Sequence, residues 1–168
     1  MRIGEGVEWA AHCCTVLAVL PTGQALPAAR LAEFHGVPAA YLAKTLQALS
    51  LAGIAQSLSG PRGGYRLARP AMQISLLDVV LAVDGADTAF RCTEIRRRGP
   101  SAVAAVSYRG PCGIARAMWK AEDAWRRELA ATSISDLVEE MLASVPERQL
   151  ARGATWIAHV EIERRSRS

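Results

Sequence analysis

Residues 26–67 read LPAARLAEFHGVPAAYLAKTLQALSLAGIAQSLSGPRGGYRL. A first helix is predicted to begin at Pro27, because proline suits the first position of a helix. Gly36 can supply a left-handed turn, after which a second helix begins near Pro38 and ends at about Leu51. This order is typical of a helix-turn-helix, whose second helix lies in the major groove of DNA. An ordinary helical hairpin is the competing interpretation.

The second helix has two chemically different faces. Leucines recur along one face at helical spacing and predict a buried stripe: Leu42, Leu46 and Leu49. The opposite face carries residues that could reach DNA: Tyr41, Lys44 and Gln47.

A β-hairpin is predicted directly after the second helix. Residues 54–58 and 65–68 have strand character, and the turn SGPRGG between them is rich in glycine, which tolerates positive φ. A winged helix has this order of elements, so Arg62 at the tip of the wing would reach phosphate or the minor groove. On charge alone, a solvated turn residue is the open alternative for Arg62. The residues expected to contact DNA are Pro38, Tyr41, Lys44, Arg62 and Tyr65.

Two cysteines lie at opposite ends of one basic loop, within the stretch FRCTEIRRRGPSAVAAVSYRGPCGIARAM that spans residues 90–118. Cys112 follows a proline and opens a helical pattern, so backbone N–H groups and the helix dipole would favour its thiolate. Arginines 96–98 follow Cys92 and could shift its pKa in the same direction. Thiolates bind metals and react with oxidants. Buried packing is the alternative role for both cysteines.

The stretch VEWAAHCCTVLAVL near the N-terminus predicts a helix. Glu8 and His12 are four residues apart, so their side chains lie on one face. A carboxylate and an imidazole so placed can chelate one metal ion, form a surface ion pair or simply face solvent. Trp9 points about 100° round the helix from Glu8 and is interpreted as a core or interface residue. Cys13 and Cys14 fall in the apolar part and are interpreted as packing residues.

A long helix is predicted after Cys112, with a heptad-like seam on one side: Ile114, Met118, Ala121 and Trp125. Such a seam favours a partner helix from a second subunit, and packing within one chain is the competing interpretation. A short helix is predicted at residues 135–143. Beyond Pro146 a helix is expected through Trp156, with a frayed tail EIERRSRS.

The bulk composition bounds the class of protein. At 168 residues, with 51% hydrophobic residues, the chain is long enough for one domain with a core. The net charge is +4, and residues 1–70 hold six Lys/Arg against three Asp/Glu. This excess permits nucleic-acid binding. No signal peptide or membrane span is visible, so a cytoplasmic location with reduced thiols is expected.

Taken together, these motifs resemble the winged-helix iron–sulfur regulators typified by IscR and NsrR, and within that family the redox-responsive RsrR-like members. The matching segments are VEWAAHCC, YLAKTLQALSLAG, GPRGGYRL, ISLLDVVLAVDG, FRCTEIRRRGP and CGIARAM. The resemblance covers most of the chain, to about residue 131, and little of the C-terminal part.

The resemblance implies a mainly α-helical, DNA-binding homodimer joined through the long helix, with one [2Fe–2S] cluster per subunit. Most members ligate the cluster with three closely spaced cysteines, whereas this loop holds only Cys92 and Cys112. The RsrR-like variant adds a glutamate and a histidine of the opposite subunit, positions that correspond to Glu8 and His12. It also implies that Trp9 relays the redox state of the cluster to the winged helix.

The domain organisation expected from these features is a winged helix-turn-helix domain with a two-stranded wing at residues 1–84, a cluster-binding loop at 85–112, and a dimerisation helix with a C-terminal extension at 113–168. The leading functional hypothesis is a redox-sensing transcription regulator that binds an operator in double-stranded DNA. The alternative is a cluster-free regulator in which Cys92 and Cys112 form a disulfide. An enzyme with a Cys–His pair is disfavoured, because no orienting residue or oxyanion motif accompanies it.

Overall fold

The computed structural model of the protein describes residues 3–60, 63–100, 102 and 110–166. The fold is mainly α-helical with one two-stranded antiparallel sheet, as predicted. The elements in chain order are α1 (Glu5–Ala18), α2 (Ala28–His35), α3 (Ala39–Leu51), β1 (Ala55–Leu58), β2 (Gly64–Leu67), α4 (Leu76–Asp84), α5 (Gly113–Ala131), α6 (Ile134–Ser144) and α7 (Glu147–Arg165), with short 3₁₀ turns at Ala71–Gln73 and Ile95–Arg97.

The helix-turn-helix is formed by α2 and α3, which pack against each other. Gly36 ends α2 in the left-handed region at φ 65°, where a residue without a side chain is favoured. Pro27 and Pro38 occupy the capping positions just before α2 and α3, so each helix begins one residue later than predicted. The stripe of Leu42, Leu46 and Leu49 is fully buried, which confirms the predicted inner face of α3.

The wing follows α3 at once, with Ala55 opposite Leu67 and Leu58 opposite Gly64 in antiparallel register. Leu26 extends this hairpin, since its backbone exchanges hydrogen bonds of 2.9 and 2.7 Å with Tyr65. Gly64 permits that approach, because a Cβ at this position would lie 2.5 Å from the carbonyl carbon of Leu26. The base of the wing is therefore fixed to the chain that enters α2.

The core is built around α1, which packs against α3, α4 and α6. Ser75 caps α4 through a reciprocal pair of hydrogen bonds with Asp78. After α5 the chain returns to this core, where Ile134 at the start of α6 is fully buried and donates its backbone N–H to the carbonyl of Ile74. The C-terminal part thus contributes to the same hydrophobic core as the helix-turn-helix.

The last helix, α7, is longer than predicted. The tail expected to fray begins at residue 161 and continues as helix to Arg165, so that prediction was wrong for residues 161–165. Three contacts explain the difference: Val160 is buried, the ring of Trp156 lies 5.2 Å from that of Phe34, and Glu163 forms an ion pair with Arg30 of α2. Tertiary packing of one face, which is not visible in local sequence, holds the helix in place.

Within the described residues, no helix combines the length and the apolar character needed to cross a bilayer.

Candidate cysteine site and DNA-binding face

Cys112 lies at the N-terminus of α5, as predicted. It is the capping residue, and its Sγ accepts a hydrogen bond of 3.3 Å from the backbone N–H of Ala115. This hydrogen bond is the main reason that the pKa of the Cys112 thiol is lowered, with further contributions from the Cys92 thiol and the positive charge of Arg96. The position favours the thiolate form.

Cys92 is brought to the same place by an arm, residues 86–92, that lies along α5. Three side chains of α5 hold the backbone of this arm. Glu122 accepts from the N–H of Ala89 at 3.1 Å, Trp119 donates to the carbonyl of Phe90 at 3.4 Å, and Arg126 donates to the carbonyl of Ala86 at 3.3 Å. The long helix therefore positions both cysteines, Cys112 by its first turn and Cys92 by its side.

Arg96 ties the two ends of the loop together. Its guanidinium donates to the Glu94 carboxylate at 2.8 Å and to the carbonyl of Gly110 at 3.0 Å. The bond to Gly110 spans fourteen residues of sequence and ends two residues before Cys112. Arg96 thus helps to keep the loop closed at the cysteines.

The result is a group of three donor side chains, Cys92, Glu94 and Cys112, whose ligand atoms all lie within 4.8 Å of one another. Each of these residues is half-buried. The Cys92 thiol donates to Glu94 Oε1 at 3.5 Å. Glu94 has φ 50°, in the left-handed region that non-glycine residues rarely adopt. Sequence reasoning missed Glu94, for which the only signal was its place two residues after Cys92.

The environment of Cys92 differs from the one expected. A backbone hydrogen bond at Glu94 lowers the pKa of the Cys92 thiol, but loss of solvent and the hydrogen bonds to Glu94 and Cys112 raise it by more. The expectation that the arginines favour a Cys92 thiolate was therefore wrong. Arg96 hydrogen-bonds the carboxylate of Glu94 instead, and this holds the pKa of Glu94 below its usual range.

Glu8 and His12 lie exposed on one face of α1, as their spacing predicts. Among the described residues of the single chain, neither belongs to the donor group at the cysteines. The His12 ring lies 5.8 Å from that of His35. Trp9 is half-buried and packs against the core. The predicted ligand role of Glu8 and His12, and the relay role of Trp9, stay predictions.

Cys13 and Cys14 are fully buried in the core, as predicted. Burial raises the pKa of each thiol to about 12, so neither is disposed to ionise.

The candidate DNA-binding face is the outer side of α3. Pro38, Tyr41, Lys44 and Gln47 are all exposed there. Tyr65, expected to contact DNA, is half-buried and packs against the core at the base of the wing, so its DNA contact stays a prediction. Arg62 lies outside the described residues, and its role also stays a prediction.

A cavity of about 1090 Å³ lies behind this face, between α1, α3, α4 and α5. The cavity is lined by Tyr41 and Lys44 of α3, by Trp9 of α1 and by Trp125 of α5. Trp9 of α1 therefore lines the same cavity as Tyr41 and Lys44 of the helix that would read DNA.

The heptad-like seam of α5 is largely uncovered in the single chain. Ile114 is 70% exposed and Met118 is 46% exposed, while Ala121 is exposed and Trp125 half-buried. The neighbouring stripe of α5 contacts the arm of residues 86–92 through Trp119, Glu122 and Arg126. The competing interpretation was that the seam packs within one chain. Ile114 and Met118 do not agree with it, because both are exposed.

Comparison with known proteins agrees with these features. The Rrf2 family, described as an iron-dependent transcriptional regulator, matches residues 3–140. This chain belongs to the Rrf2 family. The Rv1287 protein of Mycobacterium tuberculosis, named as an HTH-type transcriptional regulator, is 30% identical over 138 residues, which is 82% of this chain and 81% of that protein. YwgB of Bacillus subtilis, named likewise, is 35% identical over 85 residues, 51% of this chain and 54% of that relative. The chain is thus a DNA-binding transcription regulator and not an enzyme.

Solved Rrf2-type folds superpose on most of the chain. CymR, the global cysteine regulator of B. subtilis, gives a TM-score of 0.66 at 19% identity, over 83% of this chain and 98% of that one. The oxidised form of Staphylococcus aureus CymR gives 0.62 at 23% identity, over 83% and 97%. IscR of T. potens gives 0.64 at 18% identity, over 88% and 93%. These likenesses show the winged-helix fold. The closer resemblance to the RsrR-like members stays a prediction.

Proposed function

We propose that this Rrf2 regulator senses redox state through a [2Fe–2S] cluster held by Cys92 and Cys112, and that the state of the cluster controls operator binding. One observation carries the proposal. Two cysteines twenty residues apart in sequence have their sulfur atoms within 4.8 Å, at the start of the helix that bears the exposed seam. We also propose a cytoplasmic homodimer, since a regulator of transcription must reach DNA and helix-turn-helix dimers bind two half-sites of an operator.

The donors present fit such a group. Thiolates are the usual protein ligands of iron–sulfur clusters, and the Cys112 site favours a thiolate. We propose that Glu8 and His12 of a second copy complete the ligand set, because both are exposed on one face of α1 and can be approached from outside the chain. When bound, such a cluster supplies a one-electron redox couple whose potential rises when histidine replaces thiolate.

Glu94 competes with Glu8 for the carboxylate position. It is already beside both sulfurs in one chain, whereas Glu8 requires the second copy. We keep Glu8 as the cluster ligand, because Glu8 and His12 are exposed on one face of α1 and can reach the same iron together. The pair Glu8→Gln and Glu94→Gln separates the two. A cluster made labile by Glu8→Gln and unaffected by Glu94→Gln agrees with Glu8.

DNA reading is proposed for the outer face of α3, with Tyr41 and Lys44 as the main contacts and Pro38 beside them. Arg62 and Tyr65 of the wing are proposed as further contacts to phosphate. Trp9 is proposed to relay the state of the cluster, because it lines the same cavity as Tyr41 and Lys44. A change in the packing of Trp9 would then alter the contacts between α1 and α3, and with them the position of Tyr41 and Lys44.

The decisive experiment is anaerobic reconstitution of the full chain, read by visible absorption and by iron and sulfide analysis. Cys92→Ser and Cys112→Ser should abolish the cluster, since the other two thiols, Cys13 and Cys14, are buried in the core. Cys13→Ser is the matched control and should keep the visible absorption, because Cys13 is buried in the core. Loss of absorption in Cys13→Ser with retention in Cys112→Ser would overturn the assignment.

Two further variants probe the proposed partner ligands. His12→Cys should retain a cluster with a lower potential, because thiolate donates more charge to iron than imidazole does. Glu8→Ala should leave a position that water can fill, and so give a labile cluster. An unchanged potential in His12→Cys would remove His12 from the ligand set.

A thiol switch is the second candidate, favoured by the same closeness of two free thiols. Oxidation would join Cys92 Sγ to Cys112 Sγ and release two protons, while two electrons pass to an oxidant such as a peroxide or another disulfide. The oxidised S. aureus CymR shares this fold. Colour distinguishes the two functions, since a cluster absorbs visible light and a disulfide does not.

A further inference from the structure

We propose that Cys92, Glu94 and Cys112 of one subunit form a mononuclear site for a thiophilic divalent cation, of which Zn²⁺ is the representative, when the cluster is absent. The site shares its cysteines with the proposed cluster but differs in two respects. It takes its carboxylate from Glu94 instead of Glu8, and it needs no residue of a second copy.

The geometry supports a single ion. Zn–S bonds of about 2.3 Å and Zn–O bonds of about 2.0–2.2 Å place the donors of a tetrahedral site roughly 3.6–3.8 Å apart. The three donor atoms already lie within 4.8 Å of one another, and Cys92 Sγ and Glu94 Oε1 are separated by 3.5 Å. An inward movement of about 1 Å therefore suffices.

The chemistry of the donors selects the class of cation. Zn²⁺ takes both thiolate and carboxylate ligands, and thiolates disfavour Mg²⁺ and Ca²⁺, which prefer oxygen. A surface pocket lined by Cys92, Glu94, Pro111 and Trp119 opens beside the donors, so water can supply the fourth ligand.

The charge balance also fits. Two thiolates and a carboxylate bring three negative charges, and a divalent cation leaves one in excess. Arg96 lies 2.8 Å from Glu94 Oε2, and Arg97 lies 3.9 Å from the same atom. These guanidiniums offset the remaining charge, and Arg96 orients the carboxylate as an outer partner commonly does in metal sites.

The site is organised before any ion arrives. The arm carrying Cys92 is held to α5 by Glu122 and Trp119, and Cys112 is fixed at the first turn of the same helix. A bound cation would keep both thiols as thiolates, release their protons, and prevent their oxidation to a disulfide. It would also occupy the position that the cluster requires.

The test uses the cluster-free, reduced full chain, with Co²⁺ as a coloured substitute for Zn²⁺. We expect one Co²⁺ per chain, a thiolate-to-metal charge-transfer band, and displacement of Co²⁺ by Zn²⁺. Cys92→Ser and Cys112→Ser should each lose the band. Glu94→Gln should weaken binding by at least about tenfold. Glu94→Cys should retain binding and strengthen the band, because it adds a third thiolate.

The matched control is Asp87→Asn, which removes an exposed carboxylate that pairs with Arg91 at 2.9 Å on the same arm. Its Co²⁺ affinity should equal that of the unmodified chain. Equal affinity of Glu94→Gln and the unmodified chain would overturn the site, as would one Co²⁺ per two chains. Cluster reconstitution of the same variants gives a separate result, so loss of the visible cluster spectrum tests the proposed function and not this site.

Discussion

Glu122 accepts a hydrogen bond of 3.1 Å from the backbone N–H of Ala89, although the two residues are 33 positions apart. The Glu122 side chain is only 8% exposed, and its other oxygen pairs with Arg126 at 2.9 Å. One turn of α5 therefore holds the arm that ends at Cys92. Trp119, Glu122 and Arg126, which hold the arm, lie about 100° round α5 from the exposed seam. A movement of α5 against a second copy would therefore also move the arm that carries Cys92.

Glu122→Gln should loosen this arm. The substitution removes a charged partner of Arg126 and weakens the acceptor for Ala89, and we expect the free energy of unfolding to fall by about 1–2 kcal/mol. Urea unfolding measures this loss. Asp123→Asn is the control, because Asp123 is the next residue and is exposed. If both variants lose the same stability, the arm contact does not contribute.

Much of the helix-turn-helix could be predicted because its signals are local. The spacing of Leu42, Leu46 and Leu49 fixes the inner face of α3, and the glycines fix the turns. The position of Cys112 before α5 was visible for the same reason. These features depend on neighbours a few residues away, so a single sequence suffices to find them.

The remainder of the site depends on contacts that a single sequence does not show. Glu94 joins the cysteines only because the loop folds back, and Arg96 bonds to Glu94 instead of favouring a Cys92 thiolate. The arm is held by α5 side chains about thirty to forty positions away. Spacing placed Glu8 and His12 on one face, but whether a second copy brings them to the cysteines is a matter of assembly.

The recognition face gives the second prediction. Lys44→Ala should weaken operator binding and reduce the slope of log affinity against log salt by about one, because one phosphate contact is lost. Tyr41→Ala should cost about 1–3 kcal/mol and relax the base preference if Tyr41 contacts a base edge. Fluorescence anisotropy over a salt series measures both. Arg148→Ala is the control, because Arg148 is an exposed residue of α7. It removes one positive charge and should leave the slope of log affinity against log salt unchanged.

The α5 seam gives the third prediction. Met118→Glu should weaken the proposed homodimer at least about tenfold, because a carboxylate would lose its hydration in the proposed interface. Sedimentation velocity at several concentrations measures the dissociation constant. Ala117→Glu is the matched control, since it places the same charge at an exposed position about 100° round the helix. Equal dissociation of the two variants would exclude the seam as the contact.

Thiol reactivity gives the fourth prediction. In the reduced, metal-free chain, iodoacetamide should label Cys92 and Cys112 and spare Cys13 and Cys14. A pKa of about 12 leaves roughly one part in 10⁵ of a buried thiol ionised at pH 7, and burial also blocks the reagent. Mass spectrometry locates the label. All four cysteines should react in urea, and native labelling of Cys13 would contradict its place in the core.

The fifth prediction concerns α7, which lies beyond residues 3–140 that match the family. Val160 is 1% exposed and joins the core, so Val160→Ala should lower the free energy of unfolding by about 1–3 kcal/mol through lost burial and a residual cavity. Ile162→Ala is the control, because Ile162 is 65% exposed on the same helix and should cost little.

The chain has four tryptophans, so unfolding is followed by Trp156 fluorescence in a variant with Trp9, Trp119 and Trp125 replaced by phenylalanine. Trp156 contacts Phe34 of α2, so its fluorescence should report the loss of the contact between α7 and the helix-turn-helix. A single transition shared by helical circular dichroism and fluorescence would show that α7 and the DNA-binding helices unfold as one unit. An early fluorescence transition, with α2 and α3 still folded, would show instead that α7 is an independent appendage.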